Sequence, residues 1–269
     1  MNGASTIRHG IVIGLLAALA VYAHADQELP LRPPNNGGVY VIAHRGAHKD
    51  IPENTLAAYQ KAIELGCDFV EVDIRTTKDG RFVSVHNGTI DAYTEGQTGR
   101  VHEFTLAELK AIDIGAKHGE EWKGTRIPTL EEILELCKGR CGIYLDLKHG
   151  AIDEVAAVIQ SFDMEHDVVW CIAPSKVTAL RKACPECIEM PDPGNESNLK
   201  PVIRRYRPRM MAPVWRDFSE TYAATCHDAG ITVFVDEDDE SSWDNAVAWG
   251  ADGIQTDSPE ELIAYLKER

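Results

Sequence analysis

Short apolar runs rich in β-branched residues alternate along most of the chain with segments whose apolar positions recur at helical spacing. The strand-like runs are Tyr40–Ala43, Phe69–Ile74, Phe82–Val85, Gly142–Leu147, Val168–Ile172, Met210–Val214, Ile231–Val235 and Gly253–Gln255. Ile188–Met190 is a weaker ninth. The intervening pattern predicts helices over Thr55–Leu65, Leu106–Ile112, Leu130–Cys137, Ile152–Ser161, Lys176–Ala183, Glu220–Ala229, Asp244–Trp249 and Pro259–Lys267. Asn54 and Thr129 stand where helix N-caps belong, and Gly66 and Gly230 where helices stop. Eight or nine strands alternating with helices over roughly 230 residues describe a parallel α/β fold, and that length favours a closed eight-stranded barrel over an open sheet. The pattern leaves open which weak strand is the extra one.

Three regions fall outside this alternation or qualify it. Gly10 to Ala23 is almost wholly apolar, preceded by Arg8 and followed by Ala23-His24-Ala25. It is too short to span a bilayer comfortably and ends in a small-residue cleavage pattern. Residues 1–25 are therefore expected to be a signal peptide, giving an exported protein, periplasmic or secreted, with no stable membrane anchor. Residues 26–37 are polar and rich in Pro and Gly, and read as a leader. Residues 38–269 are expected to form one barrel domain. Export makes the seven cysteines matter. Cys67 and Cys171 sit in apolar segments and read as buried small hydrophobes, while Cys137 with Cys141, and Cys184 with Cys187, could each close a small loop or remain free thiols.

Composition narrows the functional classes. The chain has 269 residues, 44% hydrophobic and 26% charged, with a net charge of −16. That excludes a low-complexity, collagenous or multi-span membrane protein, and a nucleic-acid backbone would repel such a surface. A small anionic substrate stays open, because local basic groups or a cation override the global field.

The candidate chemistry collects at predicted strand ends, where a barrel of this kind holds its active site. The first strand ends Ala43-His44-Arg45-Gly46, the second carries Glu71-Val72-Asp73 and then Arg75, the third ends Val85-His86-Asn87, and Asp146-Leu147-Lys148 closes the fourth. Glu71 and Asp73 are two apart and share a face of their strand. With Asp146 they make three convergent carboxylates and no thiol, a donor set for one hard divalent cation, Ca²⁺ or Mg²⁺. The alternative is an ion-pair network with Arg45, Arg75 and Lys148. His44 and His86 supply two imidazoles for taking and giving protons. Arg45 offers a planar fork to phosphate oxygens and Lys148 a point charge, while Gly46 permits close backbone approach.

His44-Arg45-Gly46-Ala47, Pro52-Glu53-Asn54-Thr55, Glu71-Val72-Asp73, Lys78-Asp79-Gly80 and His86 together resemble the glycerophosphodiester phosphodiesterase family. The likeness continues through Thr98-Gly99-Arg100-Val101, Ile127-Pro128-Thr129-Leu130-Glu131-Glu132, Asp146-Leu147-Lys148 and Gly253-Ile254-Gln255-Thr256-Asp257, so it spans nearly the whole chain after residue 37. The resemblance implies a TIM-type (β/α)8 barrel and metal-dependent hydrolysis of small glycerophosphodiesters to an alcohol and glycerol 3-phosphate, through a cyclic phosphate. It assigns His44 and His86 as the acid/base pair and Glu71 and Asp73 as metal ligands. The third ligand, usually Glu in the family, is here Asp146. Asn87 stands where the family usually has Asp, Ala92 where it often has Arg, and Asp236 where it commonly has Asn.

Two rival readings keep the same residues. A lysophospholipase D-type enzyme would use this site on a lipid. A phosphodiester-binding protein with a dead site would have lost one His or the Glu-x-Asp pair, and neither is lost. Among the other loop residues, Glu53 and Asn54 are expected to shape the first loop and cap its helix. His48, Lys49, His118 and Trp122 are expected to be solvated at the rim, and Trp215 to wall the pocket. Met210 and Met211 read as core.

Overall fold

The computed structural model describes residues 29–237 and 239–269. The expected signal peptide and the first residues of the expected leader lie outside them. Residues Leu31–Arg269 form one compact unit. Among the described residues, nine strands run β1 (Tyr40–Ala43), β2 (Phe69–Thr76), β3 (Phe82–Ser84), β4 (Gly142–Leu147), β5 (Val168–Ile172), β6 (Ile188–Pro191), β7 (Met210–Met211), β8 (Thr232–Asp236) and β9 (Gly253–Thr256). Helices α1 (Leu56–Leu65), α2 (Leu106–Ala111), α3 (Leu130–Cys137), α4 (Ile152–Ser161), α5 (Val177–Ala183), α6 (Glu196–Tyr206), α7 (Glu220–His227), α8 (Trp243–Trp249) and α9 (Pro259–Lys267) occupy the connections.

Eight strands pair in the order β6-β5-β4-β2-β1-β9-β8-β7, all parallel. Between β6 and β7, the Ala212 N–H donates to the Pro191 carbonyl at 3.3 Å, bringing the two ends of the sheet together. The fold is the expected TIM-type barrel. The extra strand is β3, not the weak Ile188–Met190 run, which is a barrel strand. β2 overshoots the barrel to Thr76, and β3 folds back antiparallel on the overshoot, with Ile74 opposite Ser84 and Thr76 opposite Phe82. Residues after β3 build a satellite core of Val83, Val85, Ile90, Val101, Leu109, Ile112, Ile114 and Ile127 beside the barrel.

Strand alternation sets what the barrel encloses. On β2, Val70, Val72 and Ile74 join the helix-packed core, which leaves Phe69, Glu71 and Asp73 facing in. The same rule points Tyr144 and Asp146 inward from β4, and Phe234 and Asp236 from β8. The inward rings of Tyr40, Phe69 and Phe234 meet at 5.2–5.8 Å between centroids and plug the bottom of the barrel. Gly142 opens β4 opposite Phe69 because a Cβ there would lie 2.4 Å from the ring.

Several expectations are corrected in detail. Thr55, not Asn54, caps α1, accepting from the Ala58 N–H. Thr129 does cap α3, in a reciprocal box with Glu132. Helix α6 has no counterpart in the sequence reading, since Pro201 interrupts its pattern and only Leu199 and Val202 are buried. The expected leader is partly fastened. Arg32 pairs with Asp167 at 2.8 Å, the Asn35 N–H donates to Asp68, and Asn36 donates to the Gly66 carbonyl. Cys184 and Cys187 form a disulfide, whereas Cys137 and Cys141 are buried free thiols. Trp215 stacks on Trp249 at 5.4 Å and packs against the main core. Met210 and Met211 are core. Among the described residues no helix is long and apolar enough to cross a membrane.

Candidate active site

The C-terminal strand ends gather most of the residues singled out above. At the end of β1 the chain turns sharply through Arg45 (φ +54°) and Gly46 (φ +84°). Gly46 is required here, because a Cβ would come within 2.8 Å of the Ala58 backbone on α1. The turn aims the Arg45 N–H at Glu71 Oε2, 2.8 Å away on the neighbouring strand. Its guanidinium Nη1 donates to Glu53 at 2.8 Å, and its Nε lies 3.9 Å from Asp73.

Glu71, Asp73 and Asp146 each offer an oxygen within 4.8 Å of the others. Glu71 and Asp73 are buried, and Asp73 Oδ1 has no hydrogen-bond donor. The ammonium of Lys148 answers part of this charge, lying 2.6 Å from Asp146 and 3.1 Å from Asp73 Oδ1, the latter as an ion pair outside hydrogen-bond geometry. Burial opposes the lysine's charge, but Asp73 and Asp146 outweigh it and hold its proton more firmly than usual. Glu71 is pushed well above the ordinary carboxyl range by burial and then by Asp73 and Asp146. An all-oxygen set with one donor-less buried oxygen, in which a carboxyl is forced towards protonation, fits a hard divalent cation. The ion-pair alternative is thus present in part, through Lys148 and Arg45. Arg75 feels the charge of Asp73 and Asp146 from a distance and donates to the carbonyls of Val85 and His86.

Behind the cluster lies a buried polar hub that the sequence reading missed. Asn54, held at φ +55°, donates to Asp73 Oδ2 at 2.8 Å and accepts from Tyr59 Oη and Ser84 Oγ at 2.8 and 2.7 Å. Tyr59 sits one turn into α1 and Ser84 on β3, so the hub ties both to β2. The left-handed backbone, which Asn tolerates, explains why it cannot be the extended N-cap.

His44 reaches the mouth from β1, and its Nδ1 lies 2.7 Å from Asp257 Oδ1 at the end of β9. His48, expected to be solvated, instead contacts the same oxygen through Nε2 at 3.0 Å. These two imidazoles hold the Asp257 carboxyl well below the usual carboxylate range. His86 does not end a barrel strand, as the sequence had suggested. It follows the antiparallel β3, whose return path puts the Val85 N–H on the Asp73 carbonyl at 2.9 Å. Its Nδ1 faces Asn87 Oδ1 at 3.2 Å. Tyr93 bridges this segment to the first loop: its hydroxyl donates to Glu53 at 3.1 Å and accepts the Asn87 N–H at 3.1 Å. Asp236 accepts from Gln255 at 2.9 Å, and burial raises its pKa against the opposing pull of His44. Asp257 is a functional candidate that the sequence alone did not single out. Its signal was its place directly after a barrel strand.

Comparisons with known proteins bear on the family and the fold. Residues 44–176 match the model of the glycerophosphoryl diester phosphodiesterase family. The glycerophosphodiester phosphodiesterase of Caldanaerobacter subterraneus subsp. tengcongensis is 32% identical over 248 residues, covering 85% of this chain and 98% of that protein. Glycerophosphodiester phosphodiesterase 1 of Rattus norvegicus is 30% identical over 81% of this chain and 70% of its own length. Among solved structures, an Oleispira antarctica phosphodiesterase in complex with the product sn-glycerol-3-phosphate superposes with TM-score 0.76 at 25% identity, over 86% of this chain and 97% of that one.

Proposed function

The chain belongs to the glycerophosphoryl diester phosphodiesterase family, and on that premise we propose that it hydrolyses small glycerophosphodiesters to an alcohol and glycerol 3-phosphate. The observation that supports the reading is the meeting of three acids, a lysine and an arginine at neighbouring strand ends, with His44 directly after β1 and His86 shortly after β3. Glu71, Asp73 and Asp146 would hold one divalent cation, Ca²⁺ or Mg²⁺. When bound, it would neutralise charge developing on the phosphate and acidify a nearby hydroxyl.

The protein's own groups account for the proton movements. A glycerophosphodiester carries a hydroxyl beside its ester carbon, so attack on phosphorus is intramolecular and gains a large effective molarity. His44 serves as the first base. Its Nδ1–H donates to Asp257, which fixes the tautomer with a lone pair on Nε2 and stabilises the charge the ring acquires. His86 gives its proton to the departing alcohol oxygen as the P–O bond breaks. The resulting cyclic phosphate is opened by water with the two roles exchanged, giving glycerol 3-phosphate. The Arg45 fork, steadied by Glu53, presents N–H groups towards the mouth for phosphate oxygens, and Lys148 is the second cation there. Residues 1–25 would direct export and be removed before Asp26, which N-terminal sequencing of the secreted or periplasmic product reads directly.

The test is a hydrolysis panel of glycerophosphocholine, its 2-deoxy analogue and lysophosphatidylcholine, with Ca²⁺, Mg²⁺ or EDTA. Cleavage of the first alone, abolished by EDTA, is the expected result. Equal turnover of the 2-deoxy analogue would remove the cyclic route. Preference for the lysolipid would replace the proposed substrate class.

A further inference from the structure

We infer that His44, His48 and Asp257 form a second metal site, distinct from the acidic cluster, which takes a borderline cation such as Zn²⁺ and shuts the reaction down. Its inhibitory half rests on the function proposed above, whereas its binding half does not.

The geometry is already close to a coordination shell. His44 Nδ1 and His48 Nε2 lie 2.7 and 3.0 Å from one oxygen of Asp257, and all three donor atoms fall within 4.8 Å of one another. An ion bound at about 2.0 Å to each donor in tetrahedral geometry needs them about 3.3 Å apart, so the two hydrogen-bond distances must open by about 0.6 and 0.3 Å and the two nitrogens, within 4.8 Å of each other, must settle at the same spacing. The donors come from firm positions. His44 and Asp257 follow β1 and β9, which pair in register up to Ala43 with Thr256, and His48 lies on the short loop that Gly46 packs against α1. The two imidazole side chains are 22% exposed and Asp257 is 64% exposed, which leaves a side open for water as a fourth ligand. Two nitrogens and one oxygen suit Zn²⁺, whereas the three carboxylates of the acidic cluster suit a hard ion.

Binding there would have one chemical consequence. The Nδ1–Zn bond would take the place of the Nδ1–H bond of His44, and the ring's single proton would pass by way of solvent to Nε2 with no net release. A neutral imidazole bound through Nδ1 carries its one proton on Nε2. The atom that takes the substrate's proton would then have no lone pair, so His44 could not act as base. His48 has no part in the proposed reaction, and the polar contact described for its side chain is with Asp257.

Equilibrium dialysis of the purified protein against Zn²⁺ in excess Mg²⁺ tests the binding half without substrate. The wild type should retain one zinc, and Co²⁺ in its place should give the visible absorption of a nitrogen-ligated, four-coordinate ion. His48→Ala and His48→Gln should each weaken zinc at least about tenfold, the lower range even for a lost outer partner, and Glu71→Gln should leave it bound. In parallel assays zinc should inhibit the wild type. His48→Gln should keep its uninhibited rate and need at least tenfold more zinc for the same inhibition. Zinc binding and inhibition unchanged in both His48 variants would place the ion in the acidic cluster and overturn the proposal. So would a wild type that binds no zinc. Zinc bound through His48 in a protein that cleaves no phosphodiester would uphold the site and remove the function.

Discussion

Asn54 carries more than its loop position suggests. One side-chain amide satisfies Asp73, Tyr59 and Ser84 in a region closed to water. Asn54→Ala would leave those groups unpaired, at about 1–3 kcal/mol for each group not rescued. We expect a loss of about 2–4 kcal/mol by urea titration, together with weaker cation binding as Asp73 loses its orientation. Asp257 gives a pH signature. Its carboxyl is held low in the folded state by His44 and His48, so the folded chain takes up a proton only below the value of about 4 seen in unfolded chains. The stabilisation is therefore complete above about pH 4 and is lost as pH falls towards the folded value. The urea midpoints of wild type and Asp257→Asn should differ most near neutrality and converge in acid. At His44 and His86, replacement by Ala should each lower kcat by about 10²–10⁴-fold with unchanged circular dichroism. The acids, the two histidines and Arg45 stood out in the sequence because charged residues at strand ends are conspicuous. Asn54 and His48 did not, because their partners are 19 and 209 residues away and no local pattern reports such a contact.

At the level of elements, the barrel strands were legible because most are short, largely apolar runs buried on both faces. The direction of β3 was not: three residues, all buried, look the same parallel or antiparallel, and only the overshoot of β2 decides it. Helix α6 was hidden for the opposite reason, since it buries too little to impose a period. The aromatic plug makes a direct demand on β4. Gly142→Ala would drive a methyl group into Phe69, and overpacking of this kind costs about 1–3 kcal/mol. Thermal denaturation should show that loss, and Phe69→Leu in the same chain should restore much of it. Equal stability of Gly142→Ala and wild type would mean that the ring turns aside freely.

For the whole molecule, the excess of acid over base is concentrated in function at one point. Three convergent carboxylates face one lysine and a more distant guanidinium, so a bound cation should stabilise the fold as well as enable turnover. At a hundredfold excess over its dissociation constant it would add about 2.7 kcal/mol. For a barrel of this size that raises Tm by roughly 5–10 °C. Differential scanning calorimetry with Ca²⁺, Mg²⁺ and EDTA measures this, and Asp73→Asn should flatten the response. A Tm indifferent to both ions would remove the acidic cluster as a cation site.

The return path of β3 divides the proposed acid/base pair between two hydrophobic cores of one compact unit. His44 stands on the closed barrel, while His86 is delivered by a hairpin whose continuation folds over its own small core. A unit with few buried groups opens at lower free energy than the body it is attached to. Amide exchange in residues 82–127 should therefore be faster than at Val72 or Leu145. Mild denaturant should silence turnover while the barrel amides stay protected, so that the enzyme goes quiet reversibly before it unfolds.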